Sequence, residues 1–209
     1  MIVAFSGISD ETRLERLKRL VVRLRGRVED DTLRLARSCT VMVVAQPVKR
    51  TAKLCIGISL PNASLVTEEW LRACESAGAF VDVAPFMLSG KHSSQPEAVS
   101  KWDFDAGESR KRTLSGSGCL EGRRFFVTGK TKPKPAELTL IIEAAGGSVL
   151  EQPPNAASAD AVVVSTDDER AVWKPLLARH KRLVAIRPEH LLSCVLRQEL
   201  RLEKEVTLR

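Results

Sequence analysis

The sequence consists of two similar halves. A short apolar run ends in Phe-Ser-Gly at Gly7, and a second run ends in Val-Thr-Gly at Gly129. Another glycine follows 19 residues later in the first half, at Gly26, and 18 residues later in the second half, at Gly147. Both of these glycines precede a valine by two positions, and a β-branched run follows in both halves. Self-similarity at a fixed spacing indicates copies of one structural unit, so we predict two domains of the same fold.

Each half carries the hydrophobic pattern of an α/β domain. In the first half, continuous apolar runs at residues 2–5 and 41–45 predict strands that are buried on both faces. Between them, leucine and valine recur at helical spacing, which predicts an amphipathic helix that ends at Gly26. Shorter patterns in 49–77 predict helix, strand and helix in turn. Alternating strands and helices predict, for each half, a four-stranded, mostly parallel sheet flanked by helices.

The stretch between the halves has the composition of a linker. We predict a first domain at residues 1–88, an inter-domain linker at 89–120 and a second domain at 121–209. The linker is rich in serine, glycine, lysine and proline, which favour loops. It also carries Trp102 and Phe104, and we expect these aromatic side chains to be anchored on a domain surface.

Composition narrows the class of partner. The net charge of +7, from 33 basic and 26 acidic residues, favours an anionic partner such as nucleic acid or a phosphorylated or acidic protein. The five cysteines include no C-x-x-C pair, which is typical of buried thiols in a reducing compartment. Cysteine and histidine are not spaced as zinc ligands, so we expect no metal and no cofactor. We also expect no membrane association, because no apolar run is long enough to span a bilayer.

The order of these features resembles the BRCT domain. A glycine follows the first strand, small residues follow the first helix, the third strand is β-branched, and the last helix of the first half carries Trp70. With the motif Arg-Thr-x-Lys ending at Lys53, the chain resembles the tandem BRCT pairs that bind phosphopeptides in DNA-damage proteins. Two positions depart from the family pattern: Arg25 stands where a glycine is common, and His190 where the second domain usually has tryptophan. We expect the histidine to alter packing more than binding.

The resemblance implies one phosphate site, in the first half. Phosphoserine or phosphothreonine carries about two negative charges and needs donors and positive charge, without a catalytic base or nucleophile. Ser6 offers a hydroxyl and Gly7 a backbone N–H at the end of a strand, where ligands settle in parallel sheets. By the resemblance, these two residues and Lys53 hold the phosphate, while Arg50 holds the peptide main chain or a terminal carboxylate.

The resemblance also implies that residues after the phosphate are read in a groove between the domains. The candidates for this groove follow Lys53 or begin the last helix: Leu54, Cys55, Pro188, Glu189 and Leu192. The second half retains Thr128 and Gly129, but Trp173-Lys174 does not reproduce the Arg-Thr-x-Lys motif. We therefore expect the second domain to form the other wall of the groove.

These expectations define a function and its alternatives. The leading hypothesis is a nuclear, non-enzymatic adaptor of the DNA damage response that binds a phosphorylated protein, such as a phosphorylated histone tail. One alternative is direct binding of DNA or another polyanion by a basic surface that includes Arg110, Lys111 and Arg112. Another is a phosphate-independent protein interaction. Catalysis has no support, because no nucleophile is placed beside a base.

Overall fold

The computed structural model describes residues 1–89, 104–116, 118–158, 160–202 and 208. The chain forms two four-stranded parallel sheets with the same strand order, β2-β1-β3-β4 and β6-β5-β7-β8. Both sheets are fully parallel in these pairings, because every strand is connected to the next by a crossover. The predicted α/β class and the pair of similar sheets are confirmed.

The elements of the first domain alternate strictly along the chain. They are β1 (Ile2–Ser6), α1 (Glu11–Arg23), β2 (Arg27–Val28), α2 (Thr32–Ser38), β3 (Val41–Val44), α3 (Ala52–Ser59), β4 (Ser64–Thr67) and α4 (Glu69–Ala77). The central strands β1 and β3 are buried along almost their whole length, as their apolar runs predict.

A helix, α5 (Ala106–Ser115), lies between the domains, and the second domain then repeats the pattern. Its elements are β5 (Arg124–Val127), α6 (Pro135–Ala144), β6 (Ser148–Val149), β7 (Val162–Val164), α7 (Arg170–Arg179), β8 (Val184–Ile186) and α8 (Pro188–Arg197). Short 3-10 turns at Ala156–Ser158 and Asp167–Glu169 occupy the loops on either side of β7.

Helix α2 is not predicted from the sequence, because the predicted order has the third strand directly after the second. The helix has only seven residues and buries one of them, Leu35. Asp31 caps its first turn by accepting a hydrogen bond from the N–H of Leu33 at 2.8 Å. A helix this short produces little periodicity, so the capping aspartate is its clearest signal in the sequence.

The turn after α1 corrects the role predicted for Gly26. The left-handed residue that ends the helix is Arg25, with φ +64°, and the helix stops at Arg23. Gly26 is required for close packing instead, because a Cβ there would lie 2.7 Å from Cζ of Phe80. The second domain uses glycine for both purposes: Gly146 is left-handed, with φ +89°, and Gly147 packs closely against Ile142.

Helices α3, α5, α6 and α8 pack together between the two sheets. A single hydrophobic cluster includes residues of all four helices and of both domains. Phe104 is buried in this cluster, so this linker aromatic is anchored as expected, whereas Trp102 lies outside the described residues. Gln198, at the end of α8, also donates a hydrogen bond to Ser59 Oγ of α3 at 2.9 Å. The two domains are therefore joined by a shared core.

His190, which stands where the family usually has tryptophan, is packed differently from Trp70 of the first domain, and its effect on binding stays a prediction. Trp70 is fully buried in the first domain, stacks on Phe80 at 5.6 Å between ring centroids and donates its indole N–H to the Val81 carbonyl. His190 is only half-buried, and its Nε2 lies 2.5 Å from the carbonyl oxygen of Arg201. Within the described ranges, no helix is long and apolar enough to cross a membrane.

Candidate functional site

Ser6 and Gly7 meet the beginning of helix α3 at the carboxyl edge of the first sheet. Ser6 Oγ lies 2.7 Å from Oγ1 of Thr51, and that threonine caps α3 by accepting a hydrogen bond from the N–H of Leu54 at 3.1 Å. Gly7 has φ +82°, a conformation that favours glycine. A hydroxyl, a glycine backbone and a helix N-terminus thus come together where parallel sheets bind anions.

Lys53 lies on the first turn of α3, two residues after Thr51, and its ammonium group faces the carboxylate of Asp30. Lys53 Nζ is 3.6 Å from Oδ1 of Asp30, and Lys18 Nζ is 2.8 Å from the other oxygen, Oδ2. The hydrogen bond to Asp30 raises the pKa of Lys18 above its ordinary value. Because about half of the Asp30 side chain is exposed, this carboxylate is screened by water and contributes little stability.

Asp30 and Lys18 are residues of this region that the sequence reasoning misses. Asp30 comes two residues after β2 and therefore reaches the same side of the sheet as Ser6. An acidic residue within two positions of a strand end is a signal that could have been found. Lys18 belongs to the basic face of α1, which resembles an ordinary solvated surface.

Arg50 connects the first domain to the second. Its Nη1 donates to the backbone carbonyl of Glu189 at 3.1 Å and to Oγ of Ser193 at 3.0 Å, both on helix α8. The guanidinium therefore lies at the domain boundary, one residue before the Thr51 cap. Ser193 is a further residue that the sequence reasoning misses, although it lies four positions after Glu189 and hence on the same helical face.

The five candidate groove residues divide by exposure. Leu54 and Cys55 are completely buried, and burial raises the pKa of the Cys55 thiol to about 12. Leu192 is also buried in the shared core, and Pro188 is buried at the start of α8. Glu189 is exposed. In this structure the four buried residues contribute packing beneath the boundary, and their part in ligand specificity stays a prediction.

The basic triplet of the linker is mostly engaged in holding the domains. Arg110 donates from Nη1 to the Leu60 carbonyl and from Nη2 to the Pro61 carbonyl, both at 2.6 Å. Arg112 donates to the carbonyl of Arg197 at 2.8 Å. These carbonyls lie at or just after the ends of α3 and α8, where helix dipoles favour cations. Two of the three side chains of the triplet, those of Arg110 and Arg112, thus form contacts within the protein, which weakens the alternative of a polyanion-binding surface there.

Two family models match the chain. The BRCA1 C Terminus (BRCT) domain matches residues 1–75, and a second BRCT domain model matches residues 118–206. The chain belongs to the BRCT family. Together with the two sheets, the matched ranges show a tandem BRCT pair.

Relatives of known sequence are much longer than this chain. PAX-interacting protein 1 of Bos taurus is 28% identical over 187 residues, which cover 85% of this chain and 18% of that protein. Mediator of DNA damage checkpoint protein 1 of Homo sapiens is 27% identical over 206 residues, covering 94% of this chain and 9% of that protein. The chain spans less than a fifth of the length of these relatives.

Solved structures share the arrangement of both domains. The BRCT5-BRCT6 domains of S. pombe Brc1 superpose with a TM-score of 0.74 at 19% identity, covering 97% of this chain and 94% of that chain. Rtt107p in complex with a phosphorylated histone gives a TM-score of 0.68 at 11% identity, covering 100% of this chain and 92% of that chain. At these identities the likeness shows the fold.

Proposed function

We propose that this BRCT pair is a non-enzymatic adaptor that binds phosphoserine or phosphothreonine peptides in the nuclear DNA damage response. The observation that carries the proposal is the meeting of Ser6, Gly7 and the Thr51-capped N-terminus of α3 at one sheet edge, with Lys53 on the same helical turn. The relatives named for DNA damage checkpoint mediation and the Rtt107p complex with a phosphorylated histone support the same chemistry.

The phosphate is bound in competition with Asp30. In the unbound protein this carboxylate lies beside the Lys53 ammonium group, and a dianionic phosphate replaces it as the closer counter-charge. The Ser6 hydroxyl and the Gly7 N–H donate to phosphate oxygens, and the dipole of α3 favours the negative charge. No acid, base or nucleophile is needed for this binding.

Arg50 then orients the rest of the peptide. Arg50 directly precedes the Thr51 cap of α3, and its guanidinium reaches the Glu189 carbonyl and the Ser193 hydroxyl of α8. A peptide whose phosphate lies at Ser6 runs toward this boundary, where the planar guanidinium binds a main-chain carbonyl or a terminal carboxylate. The second domain contributes the opposite wall through Glu189, which is exposed at the start of α8.

The test uses a phosphoserine peptide library, followed by calorimetry on selected peptides in phosphorylated and unphosphorylated forms. We expect binding that is lost without the phosphate and reduced at least about tenfold by Lys53→Met, because a charge-assisted contact contributes about 1.5–3 kcal/mol. Lys111→Met is the matched control, since it removes the same charge from an exposed side chain that forms an ion pair with Glu108, three residues away on the same helix.

Comparison of free-acid with amidated peptides assigns the role of Arg50. A preference for the free acid that disappears in Arg50→Ala indicates recognition of a terminal carboxylate, and equal loss for both forms indicates main-chain recognition. Equal affinity for the phosphorylated and unphosphorylated peptides would refute the proposed function.

A further inference from the structure

The two domains place different residues at one equivalent position. Thr51 is the N-cap of α3, the helix that follows the third strand of the first domain. Glu169 is the N-cap of α7, which follows the third strand of the second domain. Both N-cap side chains contact the hydroxyl at the end of the first strand of their own domain, Ser6 in one case and Thr128 in the other.

The Glu169 carboxylate does not cap its own helix but lies at the strand end. It accepts a hydrogen bond from the Thr128 hydroxyl through Oε2 and one from the N–H of Lys130 through Oε1, the latter at 3.1 Å. Oε1 also lies 3.9 Å from the position that a Cβ on Gly129 would take. Glu169 is only 7% exposed. A buried carboxylate therefore lies where the hydroxyl, the glycine turn and the following amide converge.

The neighbouring charges also differ between the two domains. Counted from the N-cap, the residue one position before is Arg50 in the first domain and Asp168 in the second. The residue two positions after the N-cap is Lys53 in the first domain and Ala171 in the second. The second domain thus replaces both cations of the proposed phosphate site and adds a carboxylate at the N-cap itself.

We propose that Glu169 is a built-in anion that fills the strand-end site of the second domain and limits the pair to one phosphate. The buried carboxylate satisfies the same kind of donors that a phosphate would use, so a second anion meets both a filled site and like-charge repulsion. The part of this proposal that concerns the first domain rests on the proposed function, whereas the part that concerns Glu169 does not.

The experiment follows backbone amide signals by NMR while inorganic phosphate is added to the full 209-residue chain. In the wild type we expect the amides of Gly129 and Lys130 to remain unchanged, with the Lys130 amide protected from exchange by Glu169. In Glu169→Thr, which copies the first domain, both amides should shift saturably. In Glu169→Thr combined with Ala171→Lys, the apparent phosphate affinity should rise at least about tenfold, as for an added charge-assisted contact.

The proposal would be overturned by results in the wild type or in the variant. In the wild type, either a saturable response of Gly129 and Lys130 or an unprotected Lys130 amide would do so, and both are measured whether or not a variant folds. In the variant, a folded Glu169→Thr protein whose Gly129 and Lys130 amides are unchanged by phosphate would also do so. The Gly7 amide is read in the same spectra. If it does not respond to phosphate in either protein, while Gly129 and Lys130 behave as expected in both, the proposed function is at fault and the inference about Glu169 stands.

The reciprocal substitution tests the first domain. Thr51→Glu should place a carboxylate beside Ser6 and weaken phosphopeptide binding at least about tenfold more than Thr51→Gln, which has similar size without the charge. Equal losses in the two variants would contradict the role assigned to the N-cap charge. Circular dichroism checks that both variants retain the wild-type fold.

Discussion

The contacts of Arg110 predict that this residue stabilises the tandem arrangement and does not bind nucleic acid. It lies on the linker helix and donates one hydrogen bond from each terminal nitrogen to the carbonyls of Leu60 and Pro61, just after α3. Partial burial lowers the pKa of its guanidinium below the ordinary value, but an arginine remains protonated at neutral pH. The perturbation is Arg110→Ala, with Arg110→Lys as a second variant that keeps the charge.

The magnitude follows from the two hydrogen bonds. A hydrogen bond to a charged group contributes about 1.5–3 kcal/mol, and the lower values apply because the guanidinium keeps contact with water. We therefore expect Arg110→Ala to lower the free energy of unfolding by about 2–4 kcal/mol. Arg110→Lys should recover less than half of this loss, since one ammonium group cannot reproduce the forked geometry. Lys111→Ala, which removes an exposed i,i+3 ion pair with Glu108, should cost about 0.5 kcal/mol or less.

Urea unfolding followed by circular dichroism measures these differences in the free energy of unfolding. A DNA-binding titration of the same variants at two salt concentrations tests the alternative function, polyanion binding. Stability changes within about 0.5 kcal/mol for both Arg110→Ala and Lys111→Ala would refute the structural role, as this is the range of ordinary surface substitutions. DNA binding that is lost in Arg110→Ala but retained in Arg110→Lys, in proteins of unchanged stability, would instead favour the polyanion alternative.

Two further predictions concern packing and pH. Gly147→Ala should lower the free energy of unfolding by about 1–3 kcal/mol, because its Cβ would lie 2.8 Å from Cγ2 of Ile142. Gly116→Ala, whose Cβ would make only an ordinary contact at 3.5 Å, is the control, and equal urea midpoints for the two variants would contradict this reasoning. Hydrogen bonds to Cys194 Sγ and to the Arg201 carbonyl raise the pKa of His190, against the opposing effects of burial and of Arg197. A histidine whose pKa is higher in the folded state stabilises the protein below the unfolded pKa of about 6.5, and this stabilisation is lost as the pH rises through the folded pKa. In urea unfolding, the free energy of unfolding of the wild type should therefore exceed that of His190→Gln by more at pH 6 than at pH 8. A pH-independent difference would contradict this prediction.

The sequence predicts the repeated architecture because long apolar runs and helical periodicity leave few alternatives. Strands β1 and β3 and helix α1 are of this kind, and all three lie where the patterns place them. Helix α2 is not predicted, because its seven residues bury a single side chain and so give little helical periodicity. The boundaries 1–88, 89–120 and 121–209 stay a prediction.

The candidate site is predictable only in part, because its charges pair through contacts between distant segments. The positions of Ser6 and Gly7 follow from a local strand end, and the order of residues along α3 follows from one motif. The pairing of Lys53 with Asp30 joins segments 23 residues apart, and that of Arg50 with Ser193 joins segments 143 residues apart. No local pattern encodes either pair, so the roles of the site residues rest on the resemblance and stay predictions until they are tested.

In our proposal, the contrast between Asp30 and Glu169 explains how one fold gives a domain that binds phosphate and a domain that does not. Asp30 is about half exposed and lies 3.6 Å from Lys53, so water already competes for it and its replacement by a phosphate costs about 1 kcal/mol or less. Glu169 is buried and accepts two hydrogen bonds, one of them from a backbone amide. A phosphate that took over these donors would leave the buried Glu169 carboxylate without its hydrogen bonds, which costs several kcal/mol. In our proposal, the exposure of Asp30 and the burial of Glu169, more than the presence of the serine-glycine or threonine-glycine turn, determine which domain is open to a phosphate.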